Sequence, residues 1–306
     1  MNTSTPYPIG VPGTKWGAAE CAEWLSRQQI KRSYAEEVLA TFDNLETRFE
    51  RYRYGALAYD PERYPLYVFT TREWSKARPG ILITGGVHGY ETSGVQGALR
   101  FMATCAGEYE RHFNFVAAPC ISPWGYETIN RWNPGAIDPN RSFFDGTPAQ
   151  EAEFIMRYLN DTRPDVLAHF DLHETTDSDN NEFRPALAAR DGSIHKNWHI
   201  PDGFYTVDNS ARPQPEFQAA VIAGAEQVTH IAAPDQDGKI IGKPMLQHGV
   251  IEYDADALFL CMSITQAPFV TTTEVYPDSP RVTDEICIRA QVSAICSGLD
   301  YLISRQ

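Results

Sequence analysis

The chain has 306 residues, 42% of them hydrophobic and 12% aromatic, enough to bury a substantial core in one large α/β domain or two small ones. Its 40 acidic and 26 basic residues give a net charge of −14, a balance that repels phosphate backbones and anionic lipid and argues against nucleic-acid or membrane partners. No run approaches the roughly 18 unbroken apolar residues of a membrane span, and the opening MNTSTPYPIGVPG carries neither the basic nor the apolar region of a signal peptide.

The six cysteines (Cys21, Cys105, Cys120, Cys261, Cys287 and Cys296) are scattered and form no Cys-x-x-Cys pair. Most have apolar neighbours, as reduced core thiols do, so the cytoplasm is the expected compartment. Internal repeats, low-complexity tracts and Ser/Gly linkers are absent from the sequence, which favours a single domain. Along the chain, residues 17–29 and 34–44 have the three- and four-residue apolar spacing of amphipathic helices. Strand-like runs follow at 52–59, 64–71 and 80–86, the last being GILITGG. Residues 91–105 return to helical periodicity, and FNFVAAPC at 113–120 is another buried strand, so a strand–helix–strand unit is expected there. The pattern recurs as a helix at 150–161 and a strand at 165–173. A helix at 214–230, a strand at 269–276 and a long helix from about 280 to 303 complete the α/β reading.

The residues that carry chemistry fall where these strands end, which is where loops of an open α/β sheet converge on a ligand. His88-Gly-Tyr-Glu91 follows the strand GILITGG directly, and a His and a carboxylate three residues apart on such a turn can meet at one cation. Glycines 85, 86 and 89 let the backbone turn sharply there. Alone, the pair is a weak signal, since a capped helix start with a surface histidine gives the same pattern. The strand DVLAHFDLHE supplies a third ligand: His169, Asp171 and His173 share one face, and His173 stands nearest the carboxyl end. Asp171 or Glu174 then suits a supporting place, orienting an imidazole through its other nitrogen; His169 is read as a satisfied core histidine. Arg131, and Asn140-Arg141 after a Gly-x-x-Asp-Pro turn, have the donor geometry for a carbonyl oxygen and a carboxylate, although isolated surface arginines look no different. Glu274, on the β-branched run TTTEVY, is the one carboxylate of a strand and a candidate general base.

Taken in order, HGYE, Arg131, DPNR, DLH and TTTE resemble the zinc metallocarboxypeptidase family over about residues 80–276. The resemblance implies a single-domain, mixed and mostly parallel twisted sheet with helices on both faces. Residues 50–306 would form the catalytic domain and residues 1–49 a helical segment packed on it. It further implies one zinc per chain held by His88, Glu91 and His173, Glu274 as the base and Arg131 polarising the scissile carbonyl. Asn140 and Arg141 would bind a terminal carboxylate, and Tyr253 would close over the substrate. The spacing from His88 to His173 is shorter than in the digestive enzymes of that family and resembles the aspartoacylase and succinylglutamate desuccinylase branch, which cleaves N-acyl amino acids. The expected substrate is therefore a peptide or an N-acyl amino acid, with removal of a peptide's C-terminal residue preferred. A binding module that keeps the fold without catalysis is the remaining alternative. The acidic run after His173 (Glu174, Asp177, Asp179, Glu182) is read as a solvated or recognising loop, with a second cation as the less favoured reading.

Overall fold

A computed structural model describes residues 7–195 and 197–305. Among the described residues ten strands are formed in chain order: β1 (Phe49–Ala56), β2 (Pro65–Thr71), β3 (Gly80–Gly85), β4 (Asn114–Ala118), β5 (Val166–Glu174), β6 (Tyr205–Asn209), β7 (Lys239–Ile240), β8 (Lys243–Pro244), β9 (Val250–Tyr253) and β10 (Phe269–Val275). Eight of them make one mixed sheet in the order β1-β2-β4-β3-β5-β10-β6-β9, and β7 with β8 forms a small separate ribbon. The central run β4-β3-β5-β10 is parallel throughout, whereas β1, β2 and β6 pair antiparallel with their inner neighbours. The parallel centre is buried on both sides, and β3 and β4 are accordingly mostly apolar, with every residue buried.

Helices cover both faces. On β1 and β2, Phe42 packs edge-on against Phe69 on one face, while Tyr158 stacks near Tyr54 on the other. The register Tyr52↔Val68 sets Tyr54 and Phe69 on opposite sides of the sheet, so these two contacts belong to different layers. Helices Thr92–Thr104, Pro215–Glu226 and Asp284–Ser304 form one layer: Phe217 meets Phe170 of β5, and Gln291 bonds Thr273 of β10. Their layer takes the odd-numbered side of β10. The even-numbered side, with Thr272 and Glu274, is left for a cleft.

The structure departs from the sequence expectations at element ends and in short elements. The helix expected at 34–44 is broken at Val38 into Tyr34–Glu37, a 3-10 turn Leu39–Thr41 and Phe42–Glu46, yet Tyr34, Val38, Phe42 and Leu45 still bury one face. The first strand lies at Phe49–Ala56 rather than 52–59, because Leu57–Tyr64 closes a turn through the Leu57 and Tyr64 backbones. Strands β6 and β9 and helix Arg184–Asp191 were not expected; each is short, and none has a clean apolar period. Helix Asp284–Ser304 is long and apolar enough to cross a membrane by length and composition alone, but Ala290, Ala294, Ile295 and Leu299 on it are buried in the core.

Candidate metal centre and substrate cleft

The carboxyl ends of β3, β5 and β10 meet at one edge of the sheet. After β3, Gly86 turns in the left-handed region at φ +61°, and His88 and Glu91 follow before helix Thr92–Thr104 begins. The three glycines expected to permit this turn act differently. Only Gly86 needs the unusual φ. Gly89 is needed for space: a Cβ there would lie 2.2 Å from Tyr126 N and 2.3 Å from Ser122 O. Gly85 is likewise pressed against Gly94 O of the following helix.

His88, Glu91 and His173 are brought together and buried. His88 Nδ1 lies 2.8 Å from Glu91 Oε1, and His173 Nδ1 lies 2.7 Å from Glu91 Oε2. The outer ring nitrogens are held from behind: His88 Nε2 is 3.0 Å from Asp138 Oδ1, and His173 Nε2 is 3.0 Å from Asp171 Oδ2. Both imidazoles thus aim Nδ1 at a common point, each braced by a carboxylate on its far side. Glu91 Oε2 is buried without a hydrogen bond of acceptable angle, although His173 Nδ1 is so near. A cation held by His88, Glu91 and His173 would satisfy that oxygen, and two nitrogens with one carboxylate are a donor set zinc accepts. Burial opposes ionisation of Glu91, but His173 and His88 pull its carboxyl down to about 2. Against the same burial penalty, Asp171 and Glu91 hold His173 well above its ordinary value, and Arg131 and His88 hold Asp138 well below its own.

A cavity of about 570 Å³ opens beside this centre and is lined by Arg131, Asn140, Arg141, Tyr253 and Glu274 among others. Glu274 stands level with His173 on the neighbouring strand and with Tyr205 on β6. Burial pushes its carboxyl up to about 8, with Glu91 adding to the effect and His173 countering it. Arg131 is clamped by two carboxylates, Nε 3.2 Å from Asp138 Oδ2 and Nη1 3.2 Å from Asp179 Oδ1. Asn140 turns Oδ1 to the backbone N–H of Cys261 at 2.8 Å and leaves Nδ2 3.5 Å from His173 Nε2. Arg141 gives one N–H to Asn140 O at 2.7 Å and makes no salt bridge among the described residues. Surrounding protein pulls its guanidinium below the usual range, yet its surface stays open to the cavity. Burial raises the Tyr253 phenol to about 12, so it is protonated at neutral pH.

Several site groups were not singled out from sequence. Asp138 was read only as part of a turn; it does accept from Asn140 N at 2.9 Å, but it also braces His88 and Arg131. The acidic run after His173 divides: Asp179 turns inward onto Arg131, Asp177 bonds Tyr276, and Glu174 accepts from Ser93 N at the start of a helix. Thr175 and Tyr205 stand beside Glu274 with no local signal to find them. His169 is buried and pairs with Thr84 Oγ1 at 2.8 Å; that hydroxyl in turn donates to Asp171 Oδ1 at 2.6 Å, with Cys261 Sγ 3.6 Å away. These groups form a buried cluster beside His173, in which His169 Nδ1 has no hydrogen bond of acceptable angle among the described residues.

No protein-family model matches the chain, and no curated protein matches it. Solved structures do. A protein of Shewanella amazonensis SB2B, provisionally named a metallopeptidase, superposes with a TM-score of 0.66 at 19% identity, covering 90% of this chain and 99% of its own. A metallo-carboxypeptidase from Burkholderia cenocepacia gives 0.61 at 14% identity, with 89% and 69% covered. Bovine thrombin-activatable fibrinolysis inhibitor, solved in complex with tick carboxypeptidase inhibitor, gives 0.59 at 12% identity, with 92% and 100% covered. At such identities the likeness is one of fold, and the fold is that of the metallocarboxypeptidases.

Proposed function

We propose that the chain is a zinc-dependent hydrolase that cleaves an amide bond next to a free carboxylate, most simply by removing the C-terminal residue of a peptide. The observation that carries this reading is the pairing of two features in one cleft. One is a buried His88/Glu91/His173 group fit for a cation, and the other is Arg141, a guanidinium open to the cavity and without an ion pair among the described residues. An arginine fork in that situation is a receptor for a carboxylate. A cytoplasmic location accords with the six free thiols.

Zinc held by two imidazoles and a carboxylate supplies Lewis acidity that makes water nucleophilic near neutral pH and polarises a carbonyl. Glu274, level with His173 and open to the cleft, takes the proton from the attacking water and returns it to the leaving amine. Arg131, fixed by Asp138 and Asp179 through Nε and Nη1, has its remaining N–H groups for the oxygen of the scissile carbonyl. Arg141 and Asn140 Nδ2 hold the terminal carboxylate, and Tyr253 covers the bound residue.

Hydrolysis of N-acyl amino acids is a second reading, favoured by the way the amino-terminal segment narrows the cleft. Lys15, Trp16 and Cys21 line the cavity, and Trp16 N bonds Arg190 O at 2.8 Å on the opposite rim. The deciding experiment is metal analysis of protein purified without chelator or metal-affinity resin, with hydrolysis assays on a mixed peptide pool and on N-acyl amino acids. One zinc per chain with single-residue C-terminal trimming supports the peptidase. Zinc with cleavage of N-acyl amino acids alone selects the second reading, and absence of bound metal rejects both.

A further inference from the structure

The carboxylate of Glu274 is held by a hydroxyl chain that reaches across three neighbouring segments. Thr175 Oγ1 donates to Glu274 Oε2 at 3.0 Å, and Tyr205 Oη lies 2.6 Å from the same Thr175 oxygen. A threonine hydroxyl has one proton, and in the ionised form that acts as a base the Glu274 carboxylate can only accept. The proton of Thr175 is therefore spent on Glu274, and Tyr205 must be the donor to Thr175. The chain has a fixed direction, Tyr205 to Thr175 to Glu274.

Each member is anchored by backbone. Tyr205 is opposite Glu274 in the β6–β10 register, and Thr175 N donates to Val275 O at 3.0 Å just past the end of β5. Thr175 is also β-branched, which limits its hydroxyl to few rotamers. Tyr205 has no exposed surface and belongs to a small apolar cluster with Val207, Ile251, Leu260 and Met262. Phenylalanine would fill that place as well, so packing does not account for the hydroxyl. A buried phenol without a partner is costly; here its partner is the residue that grips Glu274.

We infer that Thr175 and Tyr205 are positioning residues that fix the orientation of the Glu274 carboxylate; the catalytic consequence rests on Glu274 being the general base proposed above. Thr175→Val removes the donor at nearly constant volume, Thr175→Ser retains it, and Tyr205→Phe removes only the far hydroxyl. Thr175→Val is expected to lower kcat by about 10- to 100-fold with KM and zinc content unchanged, as misplacement of a reacting group does. Tyr205→Phe should give a smaller loss of the same kind, and Thr175→Ser should restore most of the activity. Wild-type kcat in Thr175→Val, or a change confined to KM, would overturn the inference, as would a Thr175→Ser enzyme no better than Thr175→Val. A crystal structure of Thr175→Val tests it independently of activity: the Glu274 carboxylate should rotate away from its wild-type position. An unmoved carboxylate refutes the positioning role even in an active enzyme, and a wild-type protein without hydrolase activity refutes the proposed function while leaving that structural test intact.

Discussion

Glu274 bears the strongest functional prediction at the scale of single residues. Its carboxyl is buried beside His173 yet is not one of the three grouped donors, so Glu274→Gln should keep the metal while abolishing proton transfer. Turnover is expected to fall by about 100- to 10,000-fold, the usual contribution of a positioned base. A turnover assay with zinc quantified in the same sample checks it, and a near wild-type rate removes Glu274 from that role. His169 has a different effect, on stability. Burial lowers its imidazole from 6.5 to about 4, partly offset by Asp171. Between those values the unfolded chain binds the proton and the folded chain does not, so stability falls as pH drops from 6.5 toward 4. The loss is of the order of 3 kcal/mol at most. In His169→Gln, denaturant unfolding measured across this range should lose that part of its pH dependence.

Two predictions belong to elements. The turn from β3 into helix Thr92–Thr104 nests against helix Pro123–Thr128 through Gly89, whose α-carbon leaves no room for a methyl group. Because the obstructing atoms are backbone, Gly89→Ala must part the two segments and carry His88 and Glu91 with it. Both zinc affinity and thermal midpoint should fall together, by an amount like other overpacking changes, about 1–3 kcal/mol in stability. The second concerns the sheet face beyond Glu274. Thr272 lies level with Val207, and these with Leu260 and Ile241 form an uncharged wall of the cleft next to Tyr253. The acidic Asp254 and Asp256 are exposed and do not line the cavity, so a side chain lying on this wall meets apolar and hydroxyl groups. Peptides ending in leucine or phenylalanine should therefore be trimmed faster than those ending in lysine or glutamate, as compared by kcat/KM.

At the scale of the whole molecule, the amino-terminal segment is continuous with the core. Trp24 packs between Trp124 and Trp132, with ring centroids 6.1 and 5.5 Å away, and Trp16 meets Trp132 at 6.3 Å. Trp124 lies in the first turn of the helix that abuts Gly89, and Trp16 and Trp132 line the cavity, so this aromatic cluster joins the amino-terminal segment to the cleft. Trp24→Ala should cost about 3–5 kcal/mol, as large-to-small changes of buried aromatics do. Deletion of residues 1–26 should yield a chain that does not fold cooperatively; calorimetry of both forms decides.

Much of this was legible in the residue order. Strong periods and unbroken apolar runs located the central strands and the helices between them, because a buried parallel strand needs apolar residues on both faces. The convergence of His88, Glu91 and His173 could be read because they fall at the carboxyl ends of β3 and β5. The short edge strands β6 and β9 were not legible, since four or five mixed residues have no period of their own and form only when β10 offers a partner. The same holds for the groups that orient the site. Asp138, Asp179, Thr175 and Tyr205 are ordinary polar residues in sequence, and they act through neighbours distant in the chain. Sequence by itself determined which strand ends gather polar residues; the tertiary structure alone decided which side chain braces which, because a hydrogen bond depends on distances of a few ångströms that only the packed sheet sets.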